Sequence, residues 1–98
     1  MAREKQLPLA LAQLAERNTW FSGADAMRIL DWLEAEKLPL QGFEVARKLS
    51  DGNWMLLLDP MIDFPDGTPV PEIIDAGRTF LHEYAATDLM FEPRWAGY

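Results

Sequence analysis

Residues 42–58 read Gly-Phe-Glu-Val-Ala-Arg-Lys-Leu-Ser-Asp-Gly-Asn-Trp-Met-Leu-Leu-Leu, and this stretch decides the fold class. Phe43, Val45, Arg47 and Leu49 alternate with Glu44, Ala46 and Lys48, the two-residue period of a strand with one wet face. Ser50-Asp51-Gly52-Asn53 follows, and its Asp-Gly pair supplies the positive φ of a tight hairpin turn. Trp54 to Leu58 is then the return strand. Apolar on both faces, it predicts a central or covered strand with something packed on each side.

Helical periodicity flanks the hairpin. Ser22 can cap a helix with Asp25 three residues on, and Ala26, Ile29, Leu30 and Leu33 follow at i, i+3, i+4, i+7 spacing until Pro39 forbids continuation. Pro8 suits a helical first turn, with Leu7, Leu11, Leu14 and Ala15 on one face to about residue 17. Arg3 and Lys5 before the run Leu7 to Ala12 superficially resemble a secretion signal, but Gln13, Glu16 and Arg17 break it, and a first helix is the reading. Asp59 to Pro71 holds four of the seven prolines and Asp66-Gly67, which predicts a structured loop with room for a short strand at Met61-Ile62. Pro71 and Glu72 open a third helix, with Ile73, Gly77, Phe80, Leu81 and Tyr84 as its apolar stripe. Residues 87–98, rich in Leu, Met, Phe, Trp and Tyr, are expected to dock on the body as an aromatic tail. The 98 residues therefore predict one α+β domain of order α-α-β-β-α, its hairpin covered by helices.

Composition narrows the chemistry. No cysteine is present, which removes disulfides, thiolate-bound zinc and a cysteine nucleophile, and fits a reducing, cytoplasmic compartment. No apolar run approaches the roughly 18 residues of a membrane span. His82 is the one histidine, so a two-histidine metal site cannot be built, and Ser22 and Ser50 are best used as a cap and a turn. The acids of the 59–72 segment lack the Asp-x-Asp-x-Asp-Gly spacing that wraps calcium. No cofactor, metal or catalytic set is expected.

The net charge of −7 is unevenly distributed. Seven basic and seven acidic residues balance over 1–48, whereas 49–98 hold nine acids against Arg78 and Arg94 alone. Such a half repels phosphate backbones and attracts a basic protein surface. Four tryptophans add interface potential, because aromatics anchor binding hot spots. Trp32 lies off the stripe of its helix, and Trp95 sits on the tail beside Arg94. The partner-binding residues expected are thus Trp32, Asp59, Asp63, Asp66 and Trp95, as aromatic anchors ringed by carboxylates. Two alternatives remain open: a small enzyme using His82 with nearby carboxylates, and a homodimer that buries the apolar tail.

Trp20, Ala26-Met27-Arg28-Ile29-Leu30, Leu38-Pro39-Leu40, Gly42, Val45 and Asp51-Gly52 give an order of features that resembles small bacterial toxin-immunity proteins. The match spans about a third of the chain, with Gly42-Phe43-Glu44-Val45 in place of Gly-Gly-Asp-Val. The resemblance implies a non-enzymatic inhibitor that binds a cognate toxin, often through an acidic face.

Overall fold

The computed structural model describes residues 7–85 and 88–95, apart from the side chains of Asp59 and Pro60. In chain order the elements are α1 (Leu9–Ala12), α2 (Gly23–Glu36), β1 (Leu40–Lys48), β2 (Trp54–Asp63), α3 (Val70–Glu83) and β3 (Leu89–Trp95). The three strands form an antiparallel sheet of order β2-β1-β3. Helices α2 and α3 pack on each other and against β3 and β1 respectively, which makes a two-layer α+β domain.

Helix α2 follows from its sequence at both ends. The Ser22 hydroxyl accepts the Asp25 N–H at 3.2 Å, and the chain leaves the helix through Lys37 in the left-handed region, φ 56°. Its buried residues are Ala26, Ile29, Leu30 and Leu33, the stripe that periodicity predicts. Helix α3 buries Ile73, Ile74, Gly77, Phe80 and Leu81. At Gly77 the two helices meet closely, because an added Cβ would lie 3.2 Å from a Leu30 methyl. Arg78 fastens the outside of this contact with Nη2 at 2.6 Å from Asp31 and 2.9 Å from Glu34.

Between helices and sheet lies an aromatic cluster. Phe43 of β1 stacks on Phe80 of α3 at 6.1 Å, and Phe91 of β3 meets both edge-on at 6.2 Å. Paired residues share a face, so the rows Leu57–Val45–Phe91 and Ile62–Phe43–Pro93 look toward the helices. The row Leu56–Ala46–Met90 looks the other way. That opposite face also carries Trp54, edge-on to Trp20 at 6.3 Å, with the Arg17 guanidinium 4.3 Å above the Trp54 ring. The hairpin turn is closed by Leu49 N–H to Asn53 O at 2.7 Å and Asn53 N–H to Asp51 Oδ1 at 3.0 Å, with Gly52 at φ 88°.

Four sequence expectations change. The first helix covers four residues rather than a run to residue 17, because Leu14 and Ala15 bond back to Leu11 and Ala12 in tight turns and the chain reverses at Asn18, φ 45°. The expected loop from Asp59 begins instead as strand: β2 runs on to Asp63, carrying the four residues Leu58 to Met61 opposite the single residue Glu44 as a large bulge. A proline is tolerated in such a bulge, where no ladder bond requires its N–H. The return strand is not central. It is an edge of the sheet, and β1 takes the middle place because residues 89–95 pair with it as a third strand. The aromatic tail is therefore part of the sheet itself.

Candidate functional site

The open side of β2 and the adjoining face of α3 form the most distinctive surface. Met55, Leu56, Leu58 and Met61 are exposed along β2, Leu58 at 85% and Leu56 at 57%. Beside them a groove of about 430 Å³ is lined by Ile62 of β2 and by Glu72, Asp75, Ala76, Thr79, Phe80 and Glu83 of α3. Its floor is apolar and its walls are acidic. Helical spacing produces this: Ile73, Gly77 and Phe80 turn inward, leaving the acids of the same helix outside. None of these three carboxylates meets a cation among the described residues, because Arg78 is engaged by α2 and Arg94 by Asp63 and Glu44.

The residues predicted from the sequence distribute unevenly around this surface. Asp63 ends β2 with Oδ1 at 2.8 Å from Arg94 Nη2, so its charge is partly neutralised. Asp66 is exposed in the turn before α3. Asp59 falls within β2, and its side chain lies outside the described residues. Trp95 is 3% exposed and meets the half-buried Trp32 edge-on at 5.8 Å. The two tryptophans form a pair linking β3 to α2, and Trp95 offers little surface to a partner. His82 is exposed near the end of α3 and does not line the groove.

The remaining acids of the second half serve elsewhere. Asp51 closes the hairpin turn, Asp88 pairs with Arg47 at 3.3 Å, and Glu92 faces Glu44 across the strands. The carboxylates thus divide, and those on α3 form the acidic wall. Asp75 and Glu83 are the members of that wall that sequence reasoning missed. The signal for them was their place among the polar positions between the stripe residues of the third helix, where Glu72 also stands as an acid of the first turn.

A second polar cluster lies on the other face of the sheet, where an open depression is lined by Thr19, Gln41, Glu92, Arg94 and Trp95. The Thr19 hydroxyl donates to Glu92 Oε2, and Arg94 lies beyond Gly42. Partial burial raises the Glu92 carboxyl above its ordinary pKa, and Glu44 pushes in the same direction, while Thr19 and Arg94 pull back. A raised folded-state pKa means that the contribution to stability is present below the unfolded value, about 4.3, and is lost as pH rises through the folded one. Ionised Glu92 therefore costs stability at neutral pH. Replacing it (Glu92→Gln) is expected to stabilise the chain at pH 7 by about 0.2–1 kcal/mol, the usual effect of relieving like charges directly opposite on neighbouring strands. Thermal melts at pH 7 and pH 4 check this, with the gain disappearing at pH 4.

No group of three or more metal-ligating side chains gathers among the described residues, and no described helix is long and apolar enough to cross a membrane. Comparison with protein-family models, curated proteins and solved structures finds no match to this chain.

Proposed function

We propose that the chain is a non-catalytic protein-interaction domain that captures a basic partner through the β2 edge and the acidic groove of α3. The observation that carries this reading is an exposed β2 edge, with Met55 on the side of the helices and Leu56 on the opposite face, beside the carboxylates Glu72, Asp75 and Glu83, none of which meets a cation among the described residues. Apolar contact supplies affinity at such a site, and the carboxylates steer a cationic surface toward it. Inhibition of a basic toxin by a cytoplasmic immunity protein is the specific form that the sequence resemblance suggests.

Co-purification from the native host at low and high salt tests the reading, using the natural chain beside a triple variant, Glu72→Gln, Asp75→Asn and Glu83→Gln. A basic protein is expected with the natural chain at low salt, and markedly less with the variant or at high salt. Absence of a specific partner under both salt conditions, or a partner held equally by the variant, overturns it.

A further inference from the structure

The two edges of the sheet are finished differently. On the β3 side, Phe21 and Phe91 exchange both backbone bonds, N–H to O at 2.8 and 2.7 Å. Two residues further on, Pro93 has no N–H to offer on that side. On the β2 side no described segment pairs with the strand. Lys48 gives its N–H to Asp88 O at 2.7 Å, on the β3 side. By the alternation of an antiparallel ladder, Arg47 and Val45 then turn their backbone groups to Met55 and Leu57. Trp54 and Leu56 consequently direct N–H and C=O to the open edge.

Proteins usually guard such an edge with lysine, proline, a bulge, an inward charge or a short strand. Here Pro60 and the bulge interrupt only the second half of β2, whereas residues 54–58 hold no Lys, Arg or Pro and expose Leu56 and Leu58 beside the open backbone groups. Building on the binding role proposed above, we infer that an extended segment of the partner adds to β2 as a further strand, with cations at alternate positions facing α3 and apolar residues between them. Dimensions agree. Glu72 and Glu83 are 11 residues apart on one helix, about 16 Å at 1.5 Å per residue. An extended segment covers that length in about five residues, and its alternate side chains fall on one face. The other set falls on the face of Leu56. A second copy of this chain fits less well, because its α3 would set another acidic groove against these carboxylates, which meet no cation among the described residues.

The test uses the full chain and a synthetic acetyl-Lys-Val-Lys-Val-Lys-Val-Lys-amide peptide as probe. Hydrogen exchange read by NMR is expected to slow at the Trp54 and Leu56 amides by at least about tenfold when the peptide is bound. Three changes are each expected to weaken binding at least about tenfold: Glu in place of Lys in the probe, Leu56→Lys in the protein, and N-methylation of the probe on whichever alternate set faces β2. Both N-methylated versions, on valines and on lysines, are made. Strand addition is overturned if both bind as well as the parent, if exchange at Trp54 and Leu56 is unchanged, or if the parent peptide does not bind. A dimer by sedimentation, dissociated by Leu56→Lys, overturns it in favour of a second copy. Capture of a basic host protein without protection of these two amides would leave the binding role standing and remove only the strand-addition mode.

Discussion

Phe91→Ala is expected to destabilise the domain by about 3–5 kcal/mol, the usual cost of truncating a fully buried aromatic. Phe91 is 0% exposed, meets Phe43 and Phe80 at 6.2 Å, exchanges both backbone hydrogen bonds with Phe21, and stands opposite Val45 of the central strand. Truncation leaves a cavity bounded by rings on both layers, and strand and helix cannot close it together without disturbing the Phe43–Phe80 stack. Against a typical domain stability of about 5–15 kcal/mol, the loss would lower the melting temperature by on the order of 20 °C. Urea unfolding followed by circular dichroism measures it, with Leu58→Ala as the exposed control expected to stay within about 0.5 kcal/mol. A cost below about 1 kcal/mol at Phe91 would mean that residues 89–95 do not complete the core. The same placement bears on the homodimer reading: deletion of residues 89–98 removes a sheet strand, so it reports on folding before it reports on oligomeric state.

Gly42→Val is expected to cost about 2–3 kcal/mol by overpacking, in a position where no flexible side chain can yield. Gly42 sits in the central strand between Asp63 and Arg94. A Cβ there runs into the Ile62 carbonyl oxygen, which is backbone, and comes within 2.8 Å of Asp63 Oδ1. The absence of a side chain is what lets the Arg94 guanidinium reach across β1 to Asp63 at 2.8 Å. Substitution therefore pushes β2 away and breaks an ion pair that is itself worth up to about 1 kcal/mol at this exposure. Thermal unfolding beside Gly23→Ala makes the comparison, since an added Cβ at Gly23 meets only Phe91 at an ordinary 3.6 Å. Equal melting temperatures for the two variants would show that β1 and β2 do not approach as closely at Gly42 as the register requires.

The candidate surface was legible only in part. Acidity beyond Leu49 led to the expectation of a basic partner, but of the acids named from the sequence Asp63 is held by Arg94, and neither it nor Asp66 lines the α3 groove. Trp95 misled because a tail rich in aromatics reads the same whether it docks loosely or pairs as a strand. The run Trp54 to Leu58 misled for the opposite reason: apolar residues on both faces normally signal cover, and here Met55, Leu56 and Leu58 stand exposed on an edge strand.

Local chemistry alone determined α2, the stripe of α3 and the hairpin turn, since a cap, an i, i+3, i+4, i+7 repeat and an Asp-Gly pair act within a few residues of themselves. Strand order was decided only in three dimensions. Residues 89–95 lie more than forty positions from β1 in the chain, and their pairing with it depends on the joint burial of Phe43, Phe80 and Phe91, a long-range term that no short window contains. By taking the inner position against β3, β1 leaves β2 as the free edge, and the candidate binding surface exists because of that choice.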